Sequence, residues 1–206
     1  MFRAVTEPID PWQNRAVDHP LGSEAFGQLV VAMRDVQDLL ASTDPPEEVV
    51  VAARDTLREL ADRLAPWVAE ERRAPAGKRP DDPGRAHPFL PPFVPEERTD
   101  TVLRGRVRFG RFYLGGNGAA HGGAIPLLFD EVLGVFQNGA GRPVARTAYL
   151  HVNYRAITPI ETDLTVEATL EREEGRKRWA TGRLLHGDRV VADAEGLFVQ
   201  LLPGQP

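Results

Sequence analysis

Residues 121–138 read HGGAIPLLFDEVLGVFQN, and this run decides the fold. Its side chains Ala124, Ile125, Leu127, Leu128, Phe129, Val132, Leu133, Val135 and Phe136 fall on nearly every side of a helix. A helix with no polar face has to be wrapped by protein. The neighbouring sequence supplies the wrapping. Thr101–Phe109 alternates, with Leu103, Val107 and Phe109 on one face and Arg104, Arg106 and Arg108 on the other. Thr147–Tyr154 and Asp163–Leu170 alternate too, and Arg178–Leu185 and Arg189–Leu201 follow after short turns at 173–175 and 186–188. Period-two alternation marks half-buried strands, and tight turns require antiparallel neighbours. The expected class is α+β, an antiparallel sheet curled around one central helix. Arg111–Leu114 is expected to extend that sheet before the Gly115–Gly118 turn.

Toward the N-terminus the texture changes. Pro75, Pro80, Pro83, Pro88, Pro91, Pro92 and Pro95 rule out a sustained helix or a central strand, so 73–98 reads as a linker or a chain laid over a surface. Before it, Phe26, Leu29, Val30, Met33, Val36 and Leu40 recur at three- and four-residue steps, with Ser23 placed to cap. A second helix is expected to use Asp44 as its cap, with Pro45 in the first turn and Glu47 completing a capping box. Its apolar stripe is Val50, Ala53, Leu57, Leu60, Leu64 and Trp67. Two one-sided helices should pack together or against something else. The chain thus divides into a helical hairpin at 1–72, a proline-rich linker at 73–98 and a sheet-and-helix domain at 99–206.

Composition removes several classes of chemistry. There is no cysteine, which excludes disulfides, thiolate nucleophiles and zinc ribbons, and the only serines, Ser23 and Ser42, lie in no G-x-S-x-G elbow. Residues 1–72 carry a net charge of −7, while 73–98 and 99–206 are each near +1. No segment has the basic excess that a nucleic-acid backbone requires. No apolar leader or membrane-length apolar run occurs, so a cytoplasmic location without a membrane span is expected. His19, His87, His151 and His186 show no ligand-like spacing, and no metal is expected.

What remains for chemistry is the central helix and its entry. Asp130 and Glu131 are its only charges. A carboxylate buried there would be held protonated by desolvation unless it has a partner or a task. Asp130 can be a general base or a carboxylate nucleophile, or instead a loop cap or half of a structural pair. Glu131, about 100° further round, is expected at an interface or in water. At the helix entry, His121-Gly122-Gly123 exposes backbone N–H groups at the positive end of the helix dipole. This suits an oxyanion site, or it is a plain glycine-rich turn.

His121-Gly122-Gly123 followed by Asp130 and Gly134 resembles the H-G-G-x-x-x-x-x-x-D-x-x-x-G signature of hotdog-fold acyl-CoA thioesterases. Thr147–Arg155 with Pro159, and Gly175-Arg176-Lys177, resemble later strands of the same family, most nearly the PaaI and thioesterase superfamily member 4 types. The resemblance covers about 99–203. It implies a hotdog fold with an N-terminal helical hairpin, and an enzyme hydrolysing acyl-CoA to free acid and coenzyme A. By the same resemblance Asp130 and Thr147 are catalytic, the Gly122 amide polarises the carbonyl, and His121 stands beside it. Coenzyme A enters as part of the substrate, with no separate cofactor. Gly123, Asn117, Arg155, Arg176 and Lys177 are its candidate contacts. One departure is visible: where relatives carry Asn or Gln six residues before the histidine, this chain has Gly115, with Asn117 nearby.

Gly122 and Asp130 are eight residues apart, roughly 12 Å along a helix, too far for both to serve one thioester. If both are catalytic they come from different subunits, and the resemblance likewise implies a composite site at a homodimer or homotetramer interface. Two rival readings are a hotdog hydratase, for which the companion histidine after the aspartate is missing, and a non-catalytic acyl-CoA or acyl-carrier-protein binding module.

Overall fold

The computed structural model describes residues 21–139 and 141–205. Its elements run α1 (Glu24–Leu40), α2 (Glu47–Leu64), β1 (Val94–Arg98), β2 (Val102–Arg108), β3 (Leu114–Gly116), β4 (Ala119–Ala120), α3 (Ala124–Gln137), β5 (Ala145–Tyr154), β6 (Asp163–Glu174), β7 (Lys177–His186) and β8 (Arg189–Gln200). Six strands form one antiparallel sheet in the order β1-β2-β6-β7-β8-β5. The sheet wraps α3, whose Leu128, Phe129, Val132, Leu133 and Phe136 are fully enclosed by Leu103, Leu164, Val166, Leu184 and Phe198. Close approach is possible because β7 carries a glycine beneath the helix: a Cβ at Gly182 would stand 2.9 Å from the Phe129 ring.

Two polar ties fix the far end of α3. Arg178, only 1% exposed, donates to the Gln137 and Pro143 carbonyls at 2.9 Å each and to Glu173 Oε1 at 3.1 Å. A buried cation at a helix C-terminus satisfies free carbonyls and opposes the dipole. Asn138 then clips the helix to β5, its Oδ1 accepting from the Ala145 N–H at 2.7 Å.

Several expectations are corrected. Residues Arg111–Tyr113 make a 3-10 turn and β3 pairs only with β4, so this stretch forms a separate hairpin instead of extending the main sheet. The end of the proline-rich segment is a strand: β1 pairs with β2 and tolerates Pro95 because it is the sheet edge and bulged there. Helix α2 starts at Glu47 with Pro46 at its cap and no side-chain capping bond, so Asp44 does not cap. Nor do α1 and α2 close on each other: no residue of α2 is buried. Instead α1 lies on the turns at 83–86 and 111–113 through Gly27, Val30 and the faces beside them.

The segment between the helices and β1 is a strap across α3. Arg34 of α1 holds it by donating to the Leu90, Pro83 and His87 carbonyls at 2.9, 3.3 and 2.9 Å. Gly84, Arg85 and Ala86 are all left-handed, at φ 56°, 53° and 52°. Two of these are not glycine, which costs about 1–2 kcal/mol each and persists only where surrounding contacts enforce it.

Among the described residues no helix is long and apolar enough to cross a membrane.

Candidate active site

Strand β5 is the edge of the sheet and carries both halves of the site. Unbroken alternation over 147–154 would put Thr147 and Tyr154 on opposite faces. They share the inner face because β5 has a bulge: Thr147 pairs with Phe198 and Tyr149 with Leu197, leaving Ala148 extra. Bulges re-aim side chains in this way. Thr147 Oγ1 thereby reaches Asp130 on α3, donating to Oδ1 at 2.9 Å.

The two carboxylates of α3 trade the places expected of them. Asp130 is exposed on the single chain, with Thr147 as its hydrogen-bond donor. Glu131 is the enclosed one, its side chain 12% exposed, and takes a bidentate grip from Arg85 of the strap at 2.5 and 2.8 Å. Arg85 also donates to the Gly77 carbonyl at 2.7 Å. The strap supplies the charge partner that 121–138 lacks, so α3 turns Glu131 inward to it and Asp130 outward.

At the other end of β5, the Tyr154 hydroxyl donates to the Gly122 carbonyl at 2.8 Å. His121 folds back on its own turn: its N–H donates to the Tyr113 carbonyl at 2.6 Å and its Nδ1 accepts from the Gly123 N–H at 3.0 Å. The Gly123 amide is therefore occupied. The exposed Gly122 N–H has no intramolecular partner among the described residues and lies at the entry of α3. A neutral carbonyl oxygen that gathers negative charge would find a donor there. Gly115 has its own steric reason, since a Cβ there would stand 2.8 Å from the His121 Cα.

The candidate coenzyme contacts fall in two groups. Asn117 sits exposed at the tip of the β3–β4 turn with φ 48°, and Arg155 follows Tyr154. Arg155 is engaged by Asp193, which also accepts from Asn153 at 2.8 Å. Hydrogen bonding to this guanidinium holds the Asp193 carboxyl below the usual carboxylate range and raises Arg155. Arg176 and Lys177 lie in the β6–β7 hairpin, Arg176 donating to the Gln200 carbonyl at 3.0 Å. Lys177 pairs with Val199, which pairs with Arg146, so these cations share the Thr147 end of the sheet. Sequence reasoning missed Tyr154, Arg85 and Arg146. Tyr154 alone left a signal, keeping step with Leu150 and Val152.

Residues 117–180 match the family model described as the thioesterase superfamily. The solved structure of the thioesterase superfamily protein RHA08564 is 30% identical, with a TM-score of 0.71, over 88% of this chain and 94% of that one. The chain belongs to the thioesterase superfamily. As in that solved structure, α3 within its curled sheet is the hotdog fold. Acyl-coenzyme A thioesterase THEM4 of Bos taurus is 30% identical over 110 residues, 52% of this chain and 43% of that protein. Its Mus musculus counterpart is 31% identical over 113 residues, 54% and 46%. The chain spans less than half the length of these curated relatives. The structure of smu.793 from Streptococcus mutans, solved bound to acetyl CoA, shares the fold at 18% identity and a TM-score of 0.50, over 55% of this chain and 91% of that one. The superfamily match takes in Gly122, Asp130, Thr147 and Tyr154, whereas α1, α2 and the strap lie outside it.

Proposed function

We propose that this superfamily member is an acyl-CoA thioesterase working as a homodimer whose sites are shared between copies. The observation that carries the reading is the Thr147–Asp130 hydrogen bond at one end of a strand that closes the sheet of the described residues, with Gly122 held by Tyr154 at the other. Along β5 these anchors are roughly 20 Å apart, so one chain cannot bring them to one carbonyl. Two β5 edges paired antiparallel about an axis near His151 bring each Tyr154 beside the other copy's Thr147–Ala148 bulge. Gly122 of one copy then approaches Asp130 of the other. Pairing also satisfies the row of N–H and C=O groups that a ten-residue edge leaves open.

In this arrangement the Gly122 N–H donates to the thioester oxygen, and the positive end of the α3 dipole stabilises the charge that gathers on it. Thr147 fixes one Asp130 oxygen, and the other removes a proton from the attacking water or attacks the carbonyl carbon itself. When water attacks, its oxygen bonds to the carbonyl carbon, the C–S bond breaks, the free acid forms and coenzyme A leaves as its thiol with the proton that Asp130 took from the water. When Asp130 attacks, the C–S bond breaks, the thiolate takes a proton from solvent, and a water then hydrolyses the Asp130 anhydride, releasing the acid and restoring the carboxylate. The acyl-CoA substrate class rests on the names of the curated relatives and on the His121–Gly134 signature. Arg176, Lys177 and Arg146 are proposed to meet the coenzyme phosphates, with Arg155 already engaged by Asp193.

Thiol release from short, long and aromatic acyl-CoAs tests the reading. Asp130→Asn is expected to lower kcat by about 100-fold or more while acyl-CoA binding persists. A wild-type protein that binds acyl-CoA and releases no thiol would sink the enzyme reading in favour of a binding module.

A further inference from the structure

Helix α2 carries an apolar seam that the described residues leave largely uncovered. Val50, Ala53, Leu57, Leu60 and Leu64 of α2, with Trp67 in the 3-10 turn Ala65–Trp67 that continues it, follow at steps of three, four, three, four and three. That is heptad spacing, as in the seam of a two-helix coiled coil, and at its N-terminal end Val49 and Val51 widen it. No residue of α2 is buried, and Val50, Leu64 and Trp67 are 50%, 49% and 81% exposed. An isolated helix of this length is marginal in water, so its stability calls for a partner.

The spacing identifies the partner, because it reads the same in both directions. Against an antiparallel second copy, with the two-fold axis between Arg58 and Glu59, Val50 meets Trp67, Ala53 meets Leu64 and Leu57 meets Leu60. Every seam residue faces another, and in the outer layers the larger side chain faces the smaller. On the flanks Arg54 faces Ala61 and Thr56 faces Arg63, so no like charges oppose each other. A parallel copy would set Trp67 against Trp67 and Ala53 against Ala53, crowding one layer and leaving a void in another. The twelve side chains bury on the order of 1,000 Å² in total, the lower bound for a specific interface between two proteins. We propose that α2 is a self-association helix, pairing antiparallel with α2 of a second copy of this chain. This contact is separate from β5 and does not depend on the thioesterase reading. If the two contacts join different copies, the assembly is a tetramer.

The chain has no cysteine, so introduced ones report alone. In the full-length Ala53→Cys/Leu64→Cys variant, oxidation is expected to link chains into covalent dimers. The two positions lie roughly 16 Å apart along one helix, beyond the reach of an intrachain disulfide. Each single variant is expected to stay unlinked. Linkage by Ala53→Cys alone would overturn the antiparallel register, and absence of linkage in the double variant would overturn the pairing. Leu57→Glu/Leu60→Glu, checked for folding by circular dichroism, is expected to halve the assembly mass or weaken association by about 100-fold. Unchanged mass and dissociation would mean that something other than a second α2 covers the seam, and the proposal falls.

Discussion

Thr147 Oγ1 donates to Asp130 Oδ1 at 2.9 Å, joining the edge strand to the central helix. This hydrogen bond fixes the orientation of the carboxylate and engages one of its two oxygens. Replacing the hydroxyl by a methyl group, Thr147→Val, is expected to lower kcat about 10–100-fold with KM little changed. Thr147→Ser should restore most of the rate. A Thr147→Val enzyme with wild-type kcat would remove Thr147 from the mechanism.

The shared site makes a prediction that a single-chain site cannot. Gly122→Pro deletes the free N–H without adding a side chain beyond the ring. Asp130→Asn and Gly122→Pro should each be nearly inactive as homodimers. Mixed dimers of the two contain one site with both changes and one with neither, so they should recover about half of wild-type activity per dimer. Thiol release by a dual-tag-purified hybrid reads this directly, and an inactive hybrid would place both groups in one chain's site.

Arg85 and Glu131 form a largely enclosed ion pair, 22% and 12% exposed, next to Asp130. Arg85→Ala leaves the carboxylate enclosed and unpaired, at an expected cost of about 2–4 kcal/mol. In a chain of this size that lowers Tm by roughly 5–15 °C. Arg85→Met/Glu131→Met should recover most of the loss, because the desolvated charges go together. Thermal melts of the three proteins check it, and a double variant no better than Arg85→Ala would assign the loss to packing of the strap.

His87 lies on the strap with its pKa pushed below 6.5 by burial, reinforced by the nearby Arg85 and Arg34 against an opposing pull from Glu131. The unfolded chain takes up the proton first, so stability is expected to fall as pH drops below about 6.5, His87's unfolded value. His87→Gln should flatten Tm between about pH 5 and 7. A wild-type slope retained in that variant would trace the pH dependence to other groups.

The main strands, the central helix and the His121–Asp130 spacing were legible because they are local. Alternation at period two and an apolar run without a polar face depend only on the order of neighbouring residues. The same holds for the seam of α2, whose spacing is complete before any partner is known. Local patterns also misled. Asp44 and Glu47 make a plausible capping box, yet Pro46 sets the extended entry and the helix starts after it. Proline density hid β1, because an edge strand needs only one side of its hydrogen bonding and accepts Pro95 at a bulge.

By itself the sequence determined the class of fold, the groups available for chemistry and the exclusion of serine and cysteine nucleophiles. Tertiary structure decided which carboxylate faces outward. Asp130 and Glu131 are neighbours with the same charge, and no local pattern separates them. Arg85, 46 residues upstream, takes Glu131 inward and leaves Asp130 to Thr147. It also decided which face of β5 carries Thr147, since the single extra residue Ala148 reverses the alternation, and that among the described residues β5 is an edge of the sheet. Each of these turns on contacts between segments distant in sequence, where a charge must find its partner and a ladder its register. Periodicity describes one segment at a time and carries no record of either.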